Sequence, residues 1–187
     1  MKRVLIFFAE GFEEVEALTP VDFLRRAGID VITVGIGGSR IMSGHNVEIA
    51  TDIQLKDLDE KAGLGYDALI FPGGMPGAEN ISAAPAVNSL IKKFSQNSGL
   101  IAAICASPAV VLFPTGILEG RSVTCYPGFE ERFDTTVRFS TDRVVNDGNI
   151  ITSRGPGTAA EFSIALIEAL LSASEAEQIR KGTLQNF

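Results

Sequence analysis

Continuous apolar runs alternate with amphipathic segments along the chain. Runs at 4–9, 31–36, 68–71 and 100–104 have the length of strands and lack the polar alternation of a half-exposed sheet. Segments of helical periodicity separate several of these runs, an order typical of a parallel sheet covered by helices. Since 187 residues suit one domain of about 100–200 residues, the pattern predicts a single α/β domain over 1–187.

The first helix is predicted over 13–27. Val15, Leu18, Val21 and Leu24 recur three residues apart and define one apolar face. Pro20 lies inside this segment and predicts either a kink or a new start capped by Thr19.

Later helices and hairpins carry their own end signals. A helix beginning at Pro85 is expected to end before Gly99, and another beginning at Ser107-Pro108 is expected to stop at Pro114. Capping boxes at 158–161 and 174–177 predict the last two helices. Segments 41–43 and 47–49 form a candidate hairpin, 121–124 a strand, and Asp147-Gly148 a tight hairpin turn.

Composition narrows the function classes. A net charge of −7 argues against a nucleic-acid partner. Segment 100–118 carries no charge, but Pro108, Pro114 and Gly116 divide it, so no membrane span is predicted. Two cysteines and a short apolar start without the features of a signal peptide favour a soluble protein of the reducing cytoplasm with free thiols. Neither a Cys-x-x-Cys pair nor a phosphate loop occurs, so no metal or cofactor is expected.

Cys105 is the candidate nucleophile. It follows the run 100–104 and precedes a predicted helix, so it lies at a strand-to-helix turn at the carboxyl edge of the sheet. Backbone N–H groups and a helix N-terminus at such a turn stabilise a thiolate and lower the pKa of the thiol. The alternative is an inert, buried cysteine, the common state of free thiols.

Three acidic residues follow the first predicted strand. Glu13, Glu14 and Glu16 suit the first turn of a helix, where any of them serves as a cap. Alternatively, one carboxyl group points at the thiol, in which case repulsion keeps it protonated and able to donate to the thiolate.

Other residues have two interpretations as well. Gly73-Gly74 forms either a plain turn or a pair of backbone donors to an oxyanion. His45 is expected to be an exposed turn residue, and Cys125 a structural one.

Four motifs in order resemble the ThiJ/PfpI superfamily, in the branch of the parkinsonism-associated deglycase. They lie at 13–22, 71–74, 99–106 and 152–158, and together the resemblance covers nearly the whole chain. The resemblance implies a flavodoxin-like sandwich with a nucleophile elbow, a mostly parallel sheet with helices on both faces, and a homodimer.

The resemblance also assigns residues. Cys105 matches the family's oxidation-sensitive nucleophile, Glu16 its protonated partner acid, and Gly74 with Ala106 the backbone donors near the thiol. Ala106 stands where the protease-like branch has histidine, which argues against peptidase activity. The accessory candidates at positions that the family places around the site or the dimer interface are Arg26, Arg154, Pro156 and His45.

Tyr126 departs from the family pattern, since relatives with glyoxalase or deglycase activity have a histidine there. A phenol of pKa about 10 is a poor base at neutral pH.

Two functions fit these residues. One is an attack by Cys105 on a small reactive carbonyl, an α-oxoaldehyde or its protein adduct, as a weak, cofactor-independent glyoxalase or deglycase. The other is a redox sensor or chaperone in which peroxide oxidises Cys105 to the sulfinate. The sequence favours a stress-response protein with weak carbonyl detoxification.

Overall fold

A computed structural model describes residues 1–58 and 65–187 of the chain. Its strands are β1 (Arg3–Ala9), β2 (Asp30–Ile36), β3 (Arg40–Met42), β4 (Glu48–Ala50), β5 (Ile53–Gln54), β6 (Ala68–Phe71), β7 (Leu100–Ile104), β8 (Ser122–Val123), β9 (Arg138–Phe139), β10 (Val144–Asp147) and β11 (Ile150–Ser153). Its helices are α1 (Glu14–Arg26), α2 (Gly77–Ser82), α3 (Pro85–Gln96), a π-helix (Pro108–Leu112), α4 (Ala159–Leu170) and α5 (Ala173–Gly182).

Seven of the described strands form the main sheet, in the order β10-β11-β7-β6-β1-β2-β5. All neighbours in it are parallel except β10 and β11, which form the antiparallel hairpin predicted at Asp147-Gly148. Strands β3 and β4 pair as the second predicted hairpin. The predicted, mostly parallel sheet is therefore confirmed.

The central strands are buried from end to end. Every residue of β6 and β11 is buried, as is every residue of β1 after Arg3. Helices α1, α4 and α5 pack together as one group, and α2, α3 and the π-helix form another. Because helices cover both faces of the sheet, the side chains on both sides of these strands are buried. Their sequences are therefore continuous apolar runs and do not alternate between apolar and polar residues.

Helix α1 contains Pro20, and the alternative of a new helix start at Thr19 is wrong. The helix runs unbroken through this residue and does not restart at Thr19. Proline is tolerated because packing of the buried residues around it, among them Ala17, Val21 and Leu24, holds the helix in place.

The later helix starts also need correction. The segment after Ser107 is a five-residue π-helix followed by a 3₁₀ turn that includes Pro114. Thr158 occupies the predicted N-cap position of α4, but its hydroxyl bonds to Gly155 and Ser153 and does not accept from the first turn of the helix. Helix α5 is capped by Ser172, which accepts the N–H of Glu175, two residues before the predicted box.

Among the helices of the described residues, none is long and apolar enough to cross a membrane. The uncharged segment 100–118 is divided between β7, the π-helix and turns.

Candidate active site

Four neighbouring strands end at the same edge of the sheet. Strands β11, β7, β6 and β1 are adjacent and parallel, so the residues that follow them converge. Cys105 follows β7, and Gly73 lies two residues beyond β6. The turn that leads into α1 follows β1, and Arg154 follows β11. The site therefore lies at the carboxyl edge, as expected for an open parallel sheet.

Cys105 occupies a strained turn. Its φ is 65°, in the left-handed region that non-glycine residues rarely adopt. Two backbone hydrogen bonds hold it: its N–H donates to Ser153 at 2.9 Å, and its carbonyl accepts the N–H of Tyr126 at 2.9 Å. Only 9% of the residue is exposed. This is the elbow that the sequence resemblance implies.

Glu16 lies against the thiol. The residue is fully buried, its carboxyl group interacts with Cys105, and its Oε2 accepts the N–H of Gly73 at 2.9 Å. Among the described residues, no hydrogen-bond donor reaches the other oxygen, Oε1. A buried carboxylate with an unsatisfied oxygen is costly, so the geometry favours the neutral acid.

The pKa of Glu16 agrees with that charge state. Burial raises the pKa of Glu16 from 4.5 to about 7, and the nearby charge of Glu13 adds to this effect. The acid is thus half protonated near neutral pH and can hold or release a proton beside the sulfur.

Backbone N–H groups of Gly74 and Ala106 face the thiol of Cys105 and act to lower its pKa. Gly74 has a φ of +88°, and a Cβ there would lie 2.4 Å from the nitrogen of Glu13. Only glycine fits this turn.

The expectation that backbone donors and a helix N-terminus lower the pKa of Cys105 needs correction. Burial raises that pKa most, and the negative charge of Glu16 raises it further. The helix that follows is a π-helix of five residues beginning at Pro108, so it supplies little dipole. Protonation of Glu16 removes its negative charge and with it this second contribution to the raised pKa of Cys105. The two groups therefore titrate as a pair.

The three glutamates of the first turn have three different roles. Glu13 caps α1 by accepting the N–H of Glu16 at 2.7 Å. Glu14 turns to the β3–β4 hairpin, where it accepts from the hydroxyl of Ser43 and lies 2.7 Å from Nδ1 of His45. Of the three, only Glu16 reaches the thiol. The capping interpretation therefore holds for Glu13, and the interpretation of a carboxyl group that points at the thiol holds for Glu16.

Glu13, Glu14 and His45 also have potential metal-ligand atoms within 4.8 Å of one another. Glu13 is the cap of α1, and Glu14 is already bonded to the hairpin. The carboxylate oxygens of this cluster are therefore already used in structural hydrogen bonds.

The accessory candidates other than His45, which lies in the β3–β4 hairpin, occupy two places. Tyr126, Arg154 and Pro156 line one open depression beside the elbow. Arg26 lies at the last residue of α1, where it pairs with Asp22 at 2.7 Å.

Cys125 is fully buried, and burial raises its pKa to about 12. The residue is a free thiol. The environment suits a structural role, because a thiol that is neutral and covered reacts slowly.

Gly73 is the residue whose importance was underestimated from the sequence. It donates to Glu16, and a Cβ on it would lie 2.7 Å from both Cys105 Cβ and Glu16 Oε2. The Gly-Gly pair after a buried strand was the available signal, but it does not tell which glycine orients the acid and which faces the sulfur.

Comparisons with known proteins agree with this geometry. The profile of the DJ-1/PfpI family matches residues 2–169. The Parkinson disease protein 7 homolog of Danio rerio is 41% identical over 96% of this chain and 95% of its own. The glutathione-independent glyoxalase DJR-1.2 of Caenorhabditis elegans is 35% identical over 86% of this chain and 84% of its own.

The solved structures agree as well. The structure of oxidized Toxoplasma gondii DJ-1 covers 100% of both chains, with 35% identity and a TM-score of 0.92. These matches span the sheet, the elbow and the acidic turn, and they confirm the resemblance seen in the motifs. The chain belongs to the DJ-1/PfpI family.

Proposed function

We propose that this chain is a cysteine-dependent stress-response protein that acts as a weak, cofactor-independent glyoxalase or deglycase. The observation that carries the proposal is the pair formed by the Cys105 thiol and the buried Glu16 carboxyl, with the backbone N–H groups of Gly74 and Ala106 on the sulfur. A nucleophile, a proton carrier and anion-stabilising donors are the parts that covalent carbonyl chemistry needs. A relative of 35% identity is itself named a glutathione-independent glyoxalase.

The chemistry starts with the Cys105 thiolate. It adds to the aldehyde carbon of methylglyoxal, a C–S bond forms, and the resulting alkoxide takes the proton of Glu16 to give a hemithioacetal. Glu16, now ionised, removes the hydrogen of that carbon as a proton and returns it to the neighbouring carbon through an enediol. Water then hydrolyses the thioester, releasing lactate and regenerating the thiol. The aldehyde carbon is oxidised and the ketone carbon reduced, so no external oxidant or reductant is needed.

Deglycase action uses the same first step. The hemithioacetal or aminocarbinol that a carbonyl forms on a protein presents the same carbon to Cys105. Transfer to the thiolate releases the unmodified amine or thiol of the protein, and the remaining steps are those of the free aldehyde.

Tyr126 is the reason we expect slow turnover. Its side chain is 45% exposed at the mouth of the site. A phenol is a poor base at neutral pH, so Glu16 carries the proton transfers alone.

Methylglyoxal consumption tests the proposal. Cys105→Ala is expected to abolish it, whereas Cys125→Ala, the matched removal of the other free thiol, is expected to retain it. Equal rates for wild type and Cys105→Ala would rule out the enzyme.

A second candidate is a redox sensor without turnover. Two equivalents of peroxide convert the Cys105 thiol to the sulfinate with release of two waters. The protonated Glu16 and the donors of Gly74 and Ala106 suit the sulfinate oxygens as well as an alkoxide. A relative has been solved in an oxidized state.

Mass spectrometry after mild peroxide tests this candidate. Two added oxygens on Cys105 and none on Cys125 are expected. Preferential oxidation of Cys125 would contradict it.

We further propose a homodimer. Val15 and Leu18 on α1 and Val47 on the β3–β4 hairpin are apolar and 37–48% exposed. The hairpin is bonded to the start of α1 through Gly44 and Glu14, so these residues belong to one surface. A second copy would cover this surface, and Leu18→Arg is expected to shift the mass in light scattering from dimer to monomer.

We place the protein in the cytoplasm. Its two cysteines are free thiols in the described residues. A nucleophilic cysteine needs a reducing compartment to stay in its active form.

A further inference from the structure

A depression of about 220 Å³ opens next to the elbow. Tyr126, Pro127, Arg143, Arg154 and residues 155–158 line it. Its floor adjoins the buried acid: a Cβ built on Gly155 would lie 3.1 Å from the ring of Tyr126 and 3.9 Å from Oε1 of Glu16. Tyr126 is in turn bonded to the carbonyl of Cys105 through its N–H. The depression therefore borders the buried acid and the backbone of the nucleophile.

The two arginines of the depression differ in their partners. Arg143 is neutralised, since its Nε donates to both carboxylate oxygens of Glu161 at 2.7 and 2.8 Å and its Nη2 donates to the carbonyl of Gly157. Within the described residues, the guanidinium of Arg154 donates only to the carbonyl of Thr141, at 3.3 Å.

Arg154 is exceptional among the arginines. Each of the other nine forms an ion pair within 4.0 Å of a carboxylate, whereas Arg154 pairs with none in the described chain. Glu130, which like Arg154 acts electrostatically on Cys125, accepts the N–H of Gly128 at 2.6 Å and has no ion pair among the described residues. The depression thus holds one uncompensated cation in a chain whose net charge is −7.

We propose that Arg154 binds the anionic group of the substrate, so that the preferred substrates are α-oxoaldehydes or adducts that carry a carboxylate or a phosphate. This inference rests on the proposed function and specifies its substrate class. The planar guanidinium offers paired donors that match either anion. Tyr126 lines the same depression, and its phenolic O–H is a further donor.

The anionic group takes no part in bond changes. The thiolate of Cys105 adds to the aldehyde carbon, and the alkoxide takes the proton of Glu16, as for methylglyoxal. Arg154 is a specificity residue: it holds the distal end of the substrate while the carbonyl reacts.

The first experiment compares two alkylating agents that differ in charge. Iodoacetate and iodoacetamide both form an S–C bond with release of iodide, and mass spectrometry assigns the label to Cys105. At low salt, Arg154→Gln is expected to lower the ratio of the iodoacetate rate to the iodoacetamide rate by about threefold or more. The rate with neutral iodoacetamide is expected to stay within about twofold of wild type, and added salt is expected to reduce the difference.

Two variants control this experiment. Arg154→Lys keeps the charge and is expected to keep most of the ratio, which separates electrostatics from damage to the fold. Lys181→Gln removes an exposed cation of α5 that pairs with Glu177, and its ratio is expected to equal that of wild type. An unchanged ratio in Arg154→Gln, or an equal fall in Lys181→Gln, would overturn the proposal.

The second experiment measures turnover. With a phosphorylated or a carboxylated α-oxoaldehyde, Arg154→Gln is expected to raise KM at least tenfold with little change in kcat, and to raise the KM for neutral methylglyoxal far less. Whichever anion shows the larger rise in KM identifies the substrate group. If wild type consumes no α-oxoaldehyde at all, the proposed function fails, while the alkylation ratio still decides whether Arg154 attracts anions to the sulfur.

Discussion

The backbone N–H of Tyr126 donates to the carbonyl of Cys105 at 2.9 Å, which fixes residue 126 beside the nucleophile whatever its side chain. A histidine at this position would titrate near pH 6.5 and serve as a base, unlike a phenol. We predict that Tyr126→His increases kcat for methylglyoxal by about tenfold or more. Tyr126→Phe, which lacks any titrating group, is the control and should show no increase. No gain in Tyr126→His would mean that proton transfer does not limit the rate.

The ionisation of Cys105 depends on the proton of Glu16. Burial and the negative charge of Glu16 raise the pKa of the Cys105 thiol, so we predict a wild-type thiol pKa above about 8.5 from the pH dependence of iodoacetamide alkylation. Glu16→Gln and Glu16→Leu both remove that charge and are expected to lower the thiol pKa. An identical alkylation profile in all three proteins would show that the acid does not act on the thiol.

Glu16 also makes stability depend on pH. Burial raises its pKa from 4.5 to about 7, so the native state binds a proton that the unfolded chain has released. Its contribution to the free energy of unfolding is complete below pH 4.5 and is lost as pH rises to about 7. We predict that wild type loses up to about 3 kcal/mol relative to Glu16→Gln across this range. Urea unfolding of both proteins at several pH values measures it, and parallel curves would contradict the burial of an acid.

Gly73 leaves no space for a side chain. A Cβ there would lie 2.7 Å from Cys105 Cβ and from Glu16 Oε2. We predict that Gly73→Ala lowers the free energy of unfolding by about 1–3 kcal/mol and lowers the alkylation rate of Cys105 at least tenfold. Gly182→Ala is the matched control, since a Cβ at Gly182 meets nothing within 4 Å. Normal reactivity in Gly73→Ala would show that the thiol and the acid do not need this close approach.

His45 provides a direct test of the docking between the hairpin and α1. Its Nδ1 lies 2.7 Å from Oε2 of Glu14, whose charge raises the pKa of the imidazole. Since the chain has one histidine, its NMR titration needs no assignment. We predict a pKa above 6.5 in wild type that falls towards 6.5 in Glu14→Gln. An identical titration in both proteins would show that the pair does not form.

Strands were predicted well because burial on both faces leaves a strong signal in the sequence. The runs at 68–71 and 100–104 coincide with β6 and β7, and the turn at Asp147-Gly148 joins β10 to β11. The helix starts at Pro85 and Pro108 were also predicted, but helix capping was predicted less well. The hydroxyl of Thr158 found tertiary partners in Ser153 and Gly155 and left its cap, and local capping patterns contain no information about such partners.

The candidate site was predicted only in part, because the sequence again does not show which groups meet in the tertiary structure. The position of Cys105 at a strand end follows from local sequence, and the family motifs single out Glu16. The charge of the thiol does not follow, because burial and the neighbouring acid outweigh the backbone donors. The family motifs place Arg154 near the site, but the sequence does not show that it has no carboxylate partner. That depends on the tertiary hydrogen bonds of Glu161, which binds Arg143, and of Glu130, which binds Gly128.

Hydrophobicity and chain order already specify which segments are buried, that the sheet is mostly parallel, and which cysteine lies at its carboxyl edge. They do not specify which of the three glutamates in the first turn of α1 faces that cysteine, because this depends on how the helix docks. Successive side chains on a helix point about 100° apart, and the docking of α1 against the ends of β6 and β7 directs Glu16 inward and Glu14 to the hairpin. The protonation of the site follows from that docking, since burial sets the energetic cost of a charge.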